Sequence, residues 1–124
     1  MANLGSLERA IMDVVWDTGK PMRVRELLAA LNEERELAYT TVQTVAERLV
    51  KKGLLTRTPY RNAFRYAATK TRDEHVTALM LEALAGSTDR LPVLARFARS
   101  VAEEDALALL DELSRRTNQR RSTT

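Results

Sequence analysis

Residues 38–55 read AYTTVQTVAERLVKKGLL, and this stretch decides the fold. Its apolar residues recur at helical spacing and end before Gly53, which predicts one amphipathic helix with a single buried face. The apolar stripe consists of Val42, Val45, Ala46, Leu49 and Val50. We predict that the helix begins at Ala38 or one turn later, where Thr40 and Gln43 have the spacing of a capping box.

The face opposite this stripe is polar at its start and basic at its end. Short hydroxyl and amide side chains suit base edges in the major groove, whereas lysine and arginine suit phosphates. We therefore predict DNA contacts by Thr40, Thr41, Gln43, Thr44, Arg48, Lys51 and Lys52. The alternatives are that Thr40 and Gln43 only cap the helix, and that Lys51 and Lys52 only complement the helix dipole.

A strongly basic segment begins inside this helix and continues beyond it. Seven basic residues and no acidic residue lie between Arg48 and Lys70. After Gly53 the sequence pattern predicts two short strands, at 54–58 and 64–67, joined by a turn in which Asn62 can adopt a positive φ. The hairpin arginines predicted to contact phosphates are Arg57, Arg61 and Arg65.

Two further amphipathic helices precede the quoted stretch. Their apolar stripes begin at Leu7 and Val24, and Gly19 and Pro21 separate them. We expect Trp16 to lie in the core. Three helices followed by a basic hairpin is the order of a winged helix. We therefore predict a mainly α fold with a small β-hairpin wing, in which residues 1–70 form a winged helix-turn-helix DNA-binding domain.

A second set of three helices is predicted after residue 70. Thr71 has capping-box spacing with a glutamate, Pro92 suits the first turn of a helix, and Glu103 begins an acidic helix start. We predict a helical dimerisation region over 71–116 and a disordered tail over 117–124.

Three short helices cannot cover all the apolar side chains of this region by themselves. Burial of each large apolar side chain contributes about 1.5–3 kcal/mol, so a second copy of the chain is expected to cover them. The predicted dimer interface consists of Leu79, Met80, Ala83, Leu84, Phe97, Val101, Leu109, Leu110 and Leu113. The alternative is a compact monomer in which these helices fold back onto the winged helix.

Composition narrows the classes of function. The chain has 124 residues, a net charge of +3, no cysteine and one histidine, His75, which we expect to be solvent-exposed on a helix. Without cysteine there is no disulfide or thiolate metal site. We predict no enzymatic activity, no cofactor and no metal, because the sequence has no phosphate loop, nucleophile–base pair or metal-ligand spacing. No apolar run approaches the ~18 residues of a membrane span, so we expect a cytoplasmic protein without membrane insertion.

The stretch at 38–55 closely resembles the recognition-helix signature of the penicillinase-repressor family. The segment LERAIMDVVW, ending at Trp16, resembles the first helix of that family, VRELLAAL from Val24 its second, and AFRYAA from Ala63 its wing. The resemblance covers about residues 4–114. It implies a homodimeric repressor of dyad operators, often those of β-lactamase or penicillin-binding-protein genes. The positions implied to meet the major groove are Thr40, Thr41, Thr44 and Arg48.

The chain departs from the family pattern in two places that bear on function. The wing of the family usually has a glycine and a basic residue where Arg61 and Asn62 stand. The family is induced when a membrane sensor protease cleaves an Asn–Phe bond, and the matching bond here is Arg96–Phe97. This bond is a candidate cleavage site and a sensor protease a candidate partner, but because the first residue differs, the resemblance alone does not imply cleavage.

A second hypothesis belongs to a different class of function. Because a fold alone does not fix function, a winged-helix scaffold can also serve as a protein-interaction module that never contacts DNA. Such a module has no need to exclude acidic residues from its third helix and wing.

Overall fold

The computed structural model describes residues 4–122, and the side chains up to residue 121. These residues form six helices and one hairpin: α1 Ser6–Thr18, α2 Val24–Leu31, α3 Tyr39–Lys51, β1 Leu55–Tyr60, β2 Ala63–Ala68, α4 Arg72–Ala85, α5 Arg90–Ser100 and α6 Glu103–Ser122. The predicted fold class, mainly α with a small hairpin, is therefore confirmed. The chain divides into two compact units, Met1–Met80 and Leu81–Thr124.

The core of the first unit is built from one face of each of its first three helices and from the hairpin. The largest fully buried side chains are Tyr66, Ile11, Met12, Leu27, Leu49, Leu55 and Val42. The apolar stripe predicted for α3 is buried, except that Val50 is half-buried. Trp16 lies half-buried at the edge of this core, and its indole Nε1 donates a hydrogen bond to the Lys70 carbonyl oxygen at 3.0 Å.

The hairpin is longer than the sequence predicts and turns differently. Strands β1 and β2 pair antiparallel through the tip, where Tyr60 faces Ala63. The positive φ is at Arg61, at 56°, and not at Asn62 as predicted. The reason is that the connection has two residues, and a positive φ at the first of them alone matches a type II′ hairpin turn. Backbone hydrogen bonds between Tyr66 and Met22, at 2.7 and 2.8 Å, tie the hairpin to the loop after α1.

Two pairs of residues have capping-box spacing in the sequence, and only one of them caps a helix in the structure. Thr71 and Glu74 form the predicted capping box, since each backbone N–H donates to the other side chain, at 3.0 and 3.2 Å. At α3 the N-cap is Ala38 and no side chain caps the helix, so Thr40 and Gln43 do not form a capping box. Both side chains are exposed in the first turns of α3.

The environment of His75 contradicts the prediction of a solvent-exposed residue. Its exposed fraction is 7%, and its ring lies 5.3 Å from that of Trp16, centroid to centroid. The first turn of α4 is anchored to α1 by Arg72, whose guanidinium lies 2.8 Å from the Asp17 carboxylate. This contact brings the next turn of α4, and His75 with it, against the indole.

The second unit has no buried side chain among residues 81–121. Its exposed large apolar side chains are Leu81, Leu91, Val93, Leu94, Phe97, Leu107, Leu109, Leu110 and Leu113. The disordered tail predicted for 117–124 is wrong over 117–122, where α6 continues as a helix to Ser122. This segment has no glycine or proline to end the helix, and arginines in the last turn complement the helix dipole. The last two residues lie outside the described part of the chain.

No helix within residues 4–122 has the length and apolar character needed to cross a membrane.

An ion pair between a buried carboxylate and a partly exposed lysine joins α1 to the end of α3. The carboxylate of Glu8, 5% exposed, lies 2.8 Å from the Lys52 ammonium and accepts a hydrogen bond from the backbone N–H of Gly5. The Lys52 hydrogen bond, more than any other contact, holds the pKa of Glu8 below its ordinary value of 4.5. The contribution of this ion pair to the free energy of unfolding is therefore present above pH 4.5 and is lost as the pH falls through the lowered pKa of Glu8.

We expect Lys52→Met to lower the free energy of unfolding by about 1–3 kcal/mol at pH 7, because it leaves a buried carboxylate without its charged partner. Urea denaturation at pH 7 and below pH 4 measures the effect, which should shrink at the lower pH. Lys51→Met removes an exposed lysine next in sequence and should change stability by less than about 0.5 kcal/mol. Equal losses in the two variants would contradict a special role for the pair.

Candidate nucleic-acid interface

The polar face of α3 is open to solvent, because its opposite face is held in the core. All the residues predicted from α3 itself are exposed: Thr40, Thr41, Gln43, Thr44, Arg48 and Lys51. All three of these threonines and Arg48 line a shallow depression of about 290 Å³. Short hydroxyl groups and one long cationic side chain therefore share a single surface of the helix.

A larger cleft separates α3 from the hairpin, and we call it the recognition cleft. It has a volume of about 640 Å³ and is lined by Gln43, Thr44, Glu47, Arg48, Lys51, Arg57, Phe64 and Tyr66. The structure thus brings the α3 cations Arg48 and Lys51 together with Arg57 of β1. Neither Arg48 nor Lys51 forms a salt bridge within the described residues.

Arg57 has partners that the sequence did not reveal. Its guanidinium lies 2.6 Å from a carboxylate oxygen of Glu47 and 4.5 Å above the centre of the Phe64 ring. The other Glu47 oxygen accepts a hydrogen bond of 2.5 Å from the Tyr66 hydroxyl. This hydrogen bond is the main cause of the lowered pKa of Glu47, while burial, aided by the carboxylate, raises the pKa of Tyr66 to about 12.

The other predicted cations lie at different places. Lys52 points to Glu8 and not into the recognition cleft. Arg65 pairs across the hairpin with Thr58 and so lies on the face opposite Arg57, since neighbouring residues of a strand point to opposite faces. Arg61 is at the tip of the hairpin, and Arg61 and Arg65 both place a guanidinium over the Tyr60 ring, at 5.3 and 4.4 Å.

A second, smaller cleft contains basic residues that the sequence analysis missed. It has a volume of about 220 Å³, and Arg23 and Arg25 line it together with Tyr39, Gln43 and Asn62. A signal was present, because these arginines flank the first residue of α2, and a helix N-terminus favours anions. Arg23 also lies 3.5 Å from the Glu26 carboxylate.

The cations and hydroxyl groups of this surface suit a polyanion. The described residues contain no group of three or more acidic, histidine or cysteine side chains that could hold a metal ion. An exposed third helix with hydroxyls at one end, cations at the other and a basic hairpin beside it defines a winged-helix DNA-binding transcriptional regulator. The sequence profile of the penicillinase repressor family matches residues 4–115. The chain belongs to this family.

Two known proteins illustrate the relationship. The chain is 44% identical over 112 residues to the transcriptional regulator BlaI of Mycobacterium tuberculosis strain H37Rv, which covers 88% of this chain and 81% of that protein. The solution structure of the DNA-binding domain of the repressor BlaI is similar, with 24% identity, a TM-score of 0.51 and coverage of 58% of this chain and 87% of that one.

A structure from another family shares the fold over more of the chain. A MarR family protein from Bacillus stearothermophilus is 17% identical with a TM-score of 0.50, covering 98% of this chain and 77% of that one. At this identity the likeness concerns the fold alone.

Proposed function

We propose that the chain is a homodimeric transcriptional repressor that binds palindromic operator DNA through α3 and the hairpin. The observation that carries the proposal is the exposed face of α3, where threonine hydroxyls and Arg48 share one depression beside a cleft with further cations. Membership of the penicillinase repressor family supports it.

The residues divide into two roles within this proposal. Thr40, Thr41, Gln43, Thr44 and Arg48 reach base edges in the major groove, because they lie on the exposed face of a helix of the size that this groove admits. The residues assigned to phosphates are Lys51, Arg61, Arg65, Arg23 and Arg25, whereas Arg57 is assigned to its ion pair with Glu47. Lys52 is assigned to its ion pair with Glu8 and not to DNA.

Dimerisation accounts for the apolar surface of the second unit. Phe97, Leu109, Leu110 and Leu113 have exposed fractions between 40% and 61% in the single chain. A second copy that buries them contributes about 25 cal/mol for each Å² of apolar surface removed from water. The interface consists of these residues with Leu79, Met80, Ala83, Leu84 and Val101. Two-fold symmetry then presents two α3 helices to two half-sites.

We also propose a location, target genes and a mode of regulation for the protein. We place it in the cytoplasm, with no catalytic activity or cofactor, and with β-lactamase or penicillin-binding-protein genes as its targets. A sensor protease that cleaves Arg96–Phe97 relieves repression. This bond lies within α5, so the helix must open locally before cleavage.

A salt titration tests DNA binding directly. Duplexes selected by the protein from its source genome are titrated at several salt concentrations. We expect specific binding to weaken as salt rises, with a log–log slope of about −0.9 for each phosphate contact. Binding that does not depend on salt, or capture of a protein partner with no DNA, would instead favour an interaction module.

A further inference from the structure

Glu47 is the only acidic residue from Tyr39 to Ala68, the segment that includes α3 and the hairpin. It lines the recognition cleft with three cations, Arg48, Lys51 and Arg57. A carboxylate there repels the phosphates that the surrounding cations attract. Its presence on this surface therefore needs a reason other than affinity for DNA.

The contacts of Glu47 extend from α3 to both strands of the hairpin. One carboxylate oxygen pairs with Arg57 of β1 at 2.6 Å, and the other accepts the hydroxyl of Tyr66 of β2 at 2.5 Å. Arg57 and Tyr66 are directly opposite each other across the hairpin. Since a two-stranded hairpin is marginally stable alone, this carboxylate helps to fix the hairpin against α3.

We propose that Glu47 is a specificity-determining residue of the DNA-binding face, which holds Arg57 away from phosphates and fixes the hairpin against α3. This inference rests on the proposed function. Phosphate attraction is nearly the same for every sequence, so a free Arg57 would strengthen binding to all DNA. A protein held by phosphates alone adopts many registers on the duplex. In some of these registers a mobile Arg57 can contact a phosphate. In the operator complex, base contacts fix the register. Freeing Arg57 therefore increases the affinity for the operator less than it increases the affinity for other DNA.

Glu47→Gln tests the charge, because the amide keeps the shape of the side chain and an oxygen that can accept a hydrogen bond. Binding is measured to a selected operator and to a scrambled duplex of equal length at several salt concentrations. For the scrambled duplex we expect about 1.5- to 5-fold tighter binding at low salt, the range that corresponds to an exposed ion pair. The log–log salt slope should steepen by about 0.9, one phosphate contact. The ratio of operator to scrambled affinity should fall.

Two further variants sharpen the result. Glu33→Gln changes the net charge equally, but Glu33 lines another cleft, between α1 and the end of α2, and should leave both affinities and slopes unchanged. Tyr66→Phe removes only the hydroxyl that fixes Glu47 to β2. It should lower operator affinity several-fold while the salt slope for scrambled DNA stays as in the wild type.

The outcomes separate this inference from the proposed function. If the wild type binds the operator and Glu47→Gln leaves the salt slope for scrambled DNA unchanged, the role of Glu47 is refuted. An equal gain in affinity for both duplexes would also refute it, because specificity would be unaffected. If the wild type binds neither duplex, it is the proposed function that fails.

Discussion

Replacing Leu109 and Leu113 together by Asp is expected to turn the proposed dimer into monomers and to weaken operator binding by about 10²- to 10⁴-fold. Both side chains lie on one side of α6, four residues apart, and are 43% and 47% exposed in the single chain. Two carboxylates in an interface of this kind would have to be buried without partners, which costs more than the apolar contact contributes. Each half-site would then have to be bound separately.

Sedimentation velocity measures the change in assembly, and titration with the full operator measures the loss of affinity. The control is Ala108→Asp, which places a charge on the exposed side of α6 away from Leu109, Leu110 and Leu113 and should leave the assembly unchanged. Intact dimers in the double variant would refute this interface. Monomers that bind the full operator as tightly as the wild type would show that affinity does not depend on pairing.

Arg48→Ala is expected to weaken binding to the operator by about 1–3 kcal/mol, or 5- to 150-fold, if this long cationic side chain reads a base edge as proposed. Arg48 is exposed and lies in the threonine-lined depression of α3. Its loss should therefore leave the free energy of unfolding within about 0.5 kcal/mol of the wild type.

The matched control for this prediction is Lys51→Ala, one turn further along α3 and assigned to phosphate. Both variants are titrated against the operator and against operators with single base changes. Lys51→Ala should weaken binding to all of them alike, whereas Arg48→Ala should abolish discrimination at one position. A uniform loss in the Arg48 variant would reassign that residue to the phosphate backbone.

The fold could be predicted largely from local patterns. The stripe of α3 repeats at helical spacing, and one face of a helix must be buried, so Val42 and Leu49 could be placed in the core from sequence alone. The capping box of Thr71 and Glu74 is equally local, since its two partners lie three residues apart. The same spacing at Thr40 and Gln43 does not form a capping box, because the helix begins at Tyr39, before Thr40.

Local sequence patterns could not show which basic residues of the site are paired with acidic side chains. In sequence Lys52 and Arg57 look like other members of the basic segment. Whether a cation is free depends on acidic partners that only the fold brings near, Glu8 for the first and Glu47 for the second. The burial of His75 has a similar origin, since it depends on how α4 packs against α1.

The central claim is that the polar face of α3 and the adjoining hairpin lie against one duplex in a symmetric pair of subunits. Mapping of backbone amide resonances during addition of a palindromic operator tests it most directly. The account predicts shifts concentrated at residues 40–48 and at the hairpin tip, with a single set of resonances for both subunits. Shifts confined to the acidic surface around Asp13, Asp17 and Glu33, with α3 unaffected, would contradict it.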